Sequence, residues 1–231
     1  MRHLLSVGDL TAKEIQRIFA ISEDLKQKFR AGVREPLLPG RVMALLFEKP
    51  SLRTRVSFEA GMTHLGGSSL MLGAEAGFGK RESIADFTRV LSEMVDVIVV
   101  RSKAHATVEA VAQFASCAVI NGLTDRSHPC QALADVFTLK EQLGTLEGAK
   151  MAWVGDANNV SRSLAMACAL LGVSFAAATP RGYEFDERFL DECRGVGTGA
   201  EVLATHDPRE AVAGASAVYT DVWASMGQES E

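Results

Sequence analysis

Val97-Ile-Val-Val100 is an unbroken β-branched run, too short for a helix and apolar at every position. A strand with one face in water alternates apolar and polar residues, whereas an unbroken run belongs to a parallel strand buried on both faces. Such a strand needs helices above and below its sheet. That requirement constrains what the rest of the chain can be.

The neighbouring segments comply. Arg41-Val-Met-Ala-Leu-Leu-Phe47 reads as a second buried strand, with Ser68-Ser-Leu-Met-Leu72 and Ala118-Val-Ile120 as two more. Helical periodicity fills the intervals. Residues 9–30 carry Leu10, Ile15, Ile18, Phe19 and Leu25 in one stripe behind a cap at Asp9 or Thr11. Ser51 caps a helix with Phe58, Met62 and Leu65 inward, ended by Gly66-Gly67. Ser83 opens another, with Ile84, Phe87, Leu91 and Met94 on one side. His105 to Ser116 and Pro129 to Leu143 are the last two of this half, Pro129 suiting a first helical position. Asn121-Gly122 reads as a turn, and 73–81, with three glycines and no periodicity, as a mobile loop.

Strand and helix alternate again beyond Gly144–Gly148. Met151–Val154, Ser174–Ala178, Glu201–Ala204 and Ala217–Tyr219 are expected strands. A helix with Leu164, Cys168 and Leu171 inward lies among them, as do helices at Asp186–Arg194 and Pro208–Ala213. The expected fold class is therefore α/β, with two doubly wound parallel-sheet domains at 1–143 and 148–231. The second is shorter than the ~100–150 residues of a typical domain. It ends on a polar tail just past a strand, so it is expected to be incomplete.

In doubly wound sheets ligands bind beyond the carboxyl ends of the strands. Three of those ends are unusually polar: Ser51, Arg53 and Thr54; then Arg101; then His128-Pro-Cys-Gln131. Arg53 and Arg55 stand in the first turn of a helix, where cations oppose the macrodipole. Free backbone N–H groups, two hydroxyls and bidentate guanidiniums together suit a phosphate-like anion. No Walker loop or dinucleotide fingerprint surrounds them. The net charge of −5 excludes a general nucleic-acid or membrane-surface role, so any positive site is local. No apolar run approaches the ~20 residues needed to span a membrane. Four cysteines without metal-ligand spacing fit reduced thiols in the cytoplasm.

Phe47-Glu-Lys-Pro-Ser-Leu-Arg-Thr-Arg55 together with His128-Pro-Cys-Gln131 resembles the paired signature of the aspartate/ornithine carbamoyltransferases. Gly155-Asp-Ala-Asn-Asn159 and Asp221-Val-Trp-Ala-Ser-Met-Gly227 look like the ornithine-using members, and the resemblance runs from about Leu4 to the end. It implies transfer of the carbamoyl group of carbamoyl phosphate to the δ-amine of L-ornithine, giving citrulline and phosphate. No metal or other cofactor is implied, and the expected assembly is a homotrimer with shared active sites. Carried over by motif, Ser51, Leu52, Arg53 and Thr54 hold the phosphate, and Arg101 bridges phosphate and carbamoyl oxygen. His128 and Gln131 bind the carbamoyl group. Asn159, Asp221, Ser225 and Met226 bind ornithine, with Asp221 toward its α-ammonium. Arg53, Arg101 and His128 carry the catalytic roles.

The sequence departs from the family pattern in two places. The family's His-Cys-Leu-Pro segment and a later arginine, both of the active site, do not occur here, so a C-terminally truncated member is expected. The 73–81 loop is one residue short and has Gly77 where ornithine-using members place a His or Gln reaching into a neighbouring site. Gly79-Lys-Arg81 is more like the loop of the aspartate-using members, which implies that task for Lys80 or Arg81. Two alternatives stay open: another acceptor (aspartate, putrescine or an acylornithine), and a non-catalytic chain that only binds carbamoyl phosphate.

Overall fold

The computed structural model describes residues 3–73, 78–79 and 81–221. Two compact units divide the chain, 1–133 and 134–231. The elements of the first are α1 (Ala12–Arg30), β1 (Val42–Phe47), α2 (Leu52–His64), β2 (Ser68–Leu72), α3 (Ile84–Ser92), β3 (Val97–Arg101), α4 (His105–Phe114) and β4 (Ala118–Leu123). α5 (Pro129–Leu143) spans the division. The second unit continues with β5 (Lys150–Val154), α6 (Asn159–Leu171), β6 (Ser174–Ala178), α7 (Glu187–Arg194), β7 (Val202–Thr205), α8 (Pro208–Val212) and β8 (Ala217–Tyr219).

In the first unit four parallel strands lie in the order β2-β1-β3-β4. The two-residue period of a strand splits their side chains between two faces. Ala44, Leu46, Ile98 and Val100 point to one face, where Val108 and Val111 of α4 and Ile84, Phe87 and Leu91 of α3 cover them. Met43, Leu45, Phe47 and Val99 point to the other, under Phe58 and Met62 of α2. That is why the β-branched run has no polar position. Gly66 and Gly67 end α2 for steric reasons. Gly66 has φ +84°, and a Cβ on Gly67 would stand 2.5 Å from Met62 Cε and 2.8 Å from the Arg41 carbonyl oxygen.

Two expectations need correction. Asn121-Gly122 is no turn: β4 runs through both residues to Leu123. The register passes from Val100 opposite Asn121 to Arg101 opposite Leu123, so Gly122 is the extra residue of a bulge. A Cβ there would come within 3.2 Å of Val99 Cγ1 and 3.3 Å of the Val100 carbonyl oxygen, so this glycine serves a close backbone approach. Met94 lies past the end of α3 and is 71% exposed, so the apolar stripe stops at Leu91. One pairing was not read from the sequence at all. Leu4 bridges Ile120 in parallel, donating to the Val119 carbonyl and accepting from Asn121 N, both at 2.8 Å.

The second unit has four parallel strands in the order β7-β6-β5-β8. Trp153 and Phe175 are its largest fully buried side chains. α6 buries Leu164, Ala165, Ala167, Cys168 and Ala169, while α8 sets Ala211 against Ala176 and Ala178 of β6. No helix among the described residues is long and apolar enough to cross a membrane.

Candidate active site

Both strand orders reverse direction at an inner strand. From β1 the chain goes outward to β2 and returns on the other side as β3; from β5 it goes to β6 and β7 and returns as β8. The gaps between β1 and β3 and between β5 and β8 are therefore switch points, where the connections leave in opposite directions and a crevice opens.

At the first switch point, Pro50 stops β1 and Ser51 caps α2. The Ser51 hydroxyl accepts from Thr54 N at 3.4 Å and donates to Thr54 Oγ1 at 2.9 Å. Thr54 Oγ1 in turn accepts from Arg101 Nη1, arriving from the end of β3, at 3.2 Å. Ser51, Thr54 and Arg101 thus form one hydrogen-bonded chain across the switch point. Arg101 is only 7% exposed, and among the described residues its Nε has no hydrogen-bond partner. Burial lowers its pKa from the ordinary value, but a guanidinium so far above neutrality stays charged. The N–H groups of Leu52 and Arg53 open the helix and have no intrahelical acceptor. Arg53 is exposed and has no ion pair among the described residues. Arg55 differs: it pairs with Glu59 at 3.1 Å on the solvated face, so only one of the two first-turn arginines is left for an anion.

The sequence reading missed what holds this crevice in register. Glu48 N donates to the Arg101 carbonyl at 2.9 Å. The Glu48 carboxylate accepts from Ser102 Oγ at 2.6 Å and from Lys103 N at 2.9 Å. The backbone carrying Arg101 is therefore clamped to the turn that carries Ser51. Glu48 lies inside the quoted motif, and its place two residues before the strand-ending proline was the available signal.

His128 and Gln131 come from the next strand end. β4 neighbours β3, and its connection to α5 is set by a buried polar network. Asn121 Nδ2 donates to the Leu5 carbonyl at 2.8 Å and the Ser127 carbonyl at 3.3 Å; Thr124 Oγ1 accepts from Ser127 N at 3.2 Å. His105 Nδ1 meets Thr124 Oγ1 at 2.8 Å. His128 directly precedes α5 and its carbonyl accepts from Ala132 N at 3.2 Å. His128 and Gln131 are half-buried. Cys130, between them, turns its thiol to the Asn121 carbonyl, and burial pushes its pKa up to about 11. It is a packing residue, not a nucleophile.

At the second switch point, Asn158 caps α6 through Oδ1, which accepts from Val160 N at 2.9 Å and Ser161 N at 3.0 Å. Its Nδ2 donates to Asp221 Oδ2 at 2.9 Å, just past the end of β8. Trp153 and Tyr219, paired in register on β5 and β8, stack at 5.3 Å. Trp153 Nε1 donates to the Asp156 carbonyl at 3.1 Å, fixing the turn ahead of Asn158. Asn159 is the first residue of α6 and is half-buried. Ser225, Met226, Gly77 and Lys80 lie outside the described residues. Arg81 is exposed just ahead of the Ser83 cap of α3. Among the described residues no group of three or more His, Cys, Asp or Glu could hold a metal ion. One unit thus presents a cationic, N–H-rich crevice for an anion, the other a carboxylate fixed by an amide for a cation.

The family model described as "Aspartate/ornithine carbamoyltransferase, carbamoyl-P binding domain" matches residues 2–141, and "Aspartate/ornithine carbamoyltransferase, Asp/Orn binding domain" matches 147–231. The chain is 48% identical to an ornithine carbamoyltransferase of Carboxydothermus hydrogenoformans, aligned over 100% of the chain and 75% of that protein. It is 50% identical to one from Geobacillus stearothermophilus, with the same coverage of each. The solved structure of ornithine carbamoyltransferase from Pyrococcus furiosus superposes with a TM-score of 0.95 at 47% identity, covering 99% of this chain and 74% of that one.

Proposed function

The chain belongs to the aspartate/ornithine carbamoyltransferase family, and from that membership we propose that it transfers the carbamoyl group of carbamoyl phosphate to the δ-amine of L-ornithine. The products are citrulline and phosphate, which makes it a transferase of arginine metabolism. The observation that carries this reading is the Ser51–Thr54–Arg101 chain across the first switch point, in a chain 48% identical to a protein named for that reaction.

In the proposed assignment, residues 1–143 hold carbamoyl phosphate and 148–231 hold the amino acid. The N–H groups and side chains of Ser51, Leu52, Arg53 and Thr54 bind phosphate. Arg101 spans phosphate and carbamoyl oxygen, while His128 and Gln131 donate to and orient the carbamoyl group. Asp221 receives the α-ammonium of ornithine, with Asn159, Ser225 and Met226 beside it. The neutral δ-amine attacks the carbamoyl carbon, the new C–N bond forms, the C–O bond to phosphate breaks, and the proton lost by the attacking nitrogen leaves with the phosphate or to solvent. Negative charge gathers on the carbamoyl oxygen and then on the leaving phosphate, where Arg53, Arg101 and His128 stabilise it. Positioning and charge stabilisation suffice for this chemistry, and no cofactor enters it.

We also propose a homotrimer in which a neighbouring copy completes each site, through Lys80 or Arg81. Leu52 is 79% and Val56 51% exposed at i and i+4 on α2, an uncovered apolar stripe beside the phosphate crevice, which supports a second copy there. Four free thiols support a reducing, cytoplasmic setting.

The test is citrulline formation by the purified chain with carbamoyl phosphate, ornithine, aspartate and putrescine as parallel acceptors. Turnover with ornithine alone is the expected result. Turnover with another acceptor, or saturable carbamoyl phosphate binding with none, would replace it.

A further inference from the structure

We infer that Asn158 is a positioning residue for the acceptor amino acid: it fixes the Asp221 carboxylate and so sets where the substrate's α-ammonium binds. The inference rests on the ornithine reading of the second switch point and goes beyond it, since no motif or family match gives Asn158 a role.

Both ends of the Asn158 amide are committed. Its oxygen takes two backbone N–H groups at the start of α6, at 2.9 and 3.0 Å, which leaves the NH2 group to face Asp221. The amide orientation follows from the cap, because the reverse would aim two donors at two donors. The NH2 group reaches Asp221 Oδ2 at 2.9 Å across 63 residues of sequence. One lone-pair direction of that carboxylate is thereby occupied by a rigid donor anchored to a 13-residue helix. That donor orients the carboxylate, and an oriented carboxylate is a better-defined target for an ammonium group. Trp153 stacked on Tyr219 holds β8 at the matching height. Asp221 is exposed, so losing this donor loosens the carboxylate, and a looser carboxylate binds an ammonium more weakly.

A cap and a tether can be separated by substitution. Serine and aspartate both cap helices well, but neither reproduces the amide donor toward Asp221. Serine is too short to span the gap, and aspartate opposes a second carboxylate. Asn158→Ser and Asn158→Asp are expected to melt within a few degrees of the parent chain. Each is expected to raise KM for ornithine about tenfold, with KM for carbamoyl phosphate unchanged. Asn158→Ala, which loses cap and donor alike, lowers the melting temperature as well. If Asn158 only caps α6, the Ser and Asp variants match the parent in every constant and Ala alone is impaired, which overturns the inference.

A calorimetric titration with ornithine, and with the five-carbon amino acid lacking the δ-amine, keeps this result separate from the underlying reading. A parent chain that binds neither amino acid overturns both readings. A parent that binds them, beside an Asn158→Ser variant that binds equally well, overturns this one alone.

Discussion

The Glu48 carboxylate accepts a 2.6 Å hydrogen bond from the Ser102 hydroxyl, tying the turn after β1 to the residue following Arg101. With Lys103 N on the same oxygen at 2.9 Å, it closes a loop around the switch point that presents Arg101 to Thr54.

Glu48→Gln keeps a carbonyl oxygen for both donors, whereas Glu48→Ala keeps nothing. The Gln variant should therefore stay within about threefold of the parent in KM for carbamoyl phosphate, and the Ala variant should rise roughly tenfold or more, as lost hydrogen bonds to a charged group do. Steady-state kinetics at saturating ornithine distinguishes them. Equal effects from both would show that charge, not the clamp, is what matters.

Thr54 Oγ1 is the only hydrogen-bond acceptor that the buried Arg101 guanidinium has among the described residues. Thr54→Val preserves volume and removes that acceptor. Leaving a buried charge without it should cost about 1–3 kcal/mol in unfolding free energy and lower kcat/KM by about a hundredfold. Thr54→Ser should restore most of both. Urea denaturation and kinetics on the pair check this, and a Val variant with parental activity would contradict it.

Gly122→Ala adds a methyl 3.2 Å from Val99 Cγ1 and 3.3 Å from the Val100 carbonyl oxygen. Neither neighbour is a flexible side-chain end. Overpacking of this kind should destabilise the first unit by about 1–3 kcal/mol. Because the bulge sets the register of Arg101, carbamoyl phosphate affinity should fall as well. Denaturation midpoints with and without carbamoyl phosphate would show both effects.

The cysteines predict a pH dependence. Burial pushes Cys130 up to about 11 and Cys193 up to about 12, against an ordinary value near 9. Above about pH 9 the unfolded chain loses thiol protons that the folded chain retains, so unfolding becomes more favourable as pH rises. Their contribution is fully present below pH 9 and declines up to the folded values, by at most about 1.4 kcal/mol per pH unit for each thiol. Melting curves from pH 8 to pH 11 should fall accordingly. At pH 8 a thiol reagent should label Cys130, Cys168 and Cys193 only after denaturation.

The sequence was most legible where burial and periodicity agree. The run at Val97–Val100 announced a strand covered on both faces, and alternation then placed most elements within a few residues of their ends. The crevice was legible in part, because arginine and hydroxyls at a helix start violate a local preference and so stand out. Glu48 and Asn158 did not stand out. A glutamate after a strand and an asparagine before a helix are ordinary residues, and their partners lie 54 and 63 positions away. Asn121-Gly122 misled for a related reason: the pair has the composition of a turn, and only the neighbouring strand reveals the bulge.

The parallel bridge between Leu4 and Ile120 has a consequence for synthesis. Asn121 Nδ2 also bonds the Leu5 carbonyl, and Val119 N bonds His3 Nδ1 at 3.1 Å, each across 116 residues. The segment around Leu4 emerges from the ribosome before the edge it pairs with, which follows 116 residues and several seconds later at ordinary elongation rates of ~5–20 residues per second. Until then its backbone N–H and C=O groups are open to other pairings. Residues translated well before their partners thus wait longest to dock, and any other pairing that held them in that interval would slow maturation without touching either crevice.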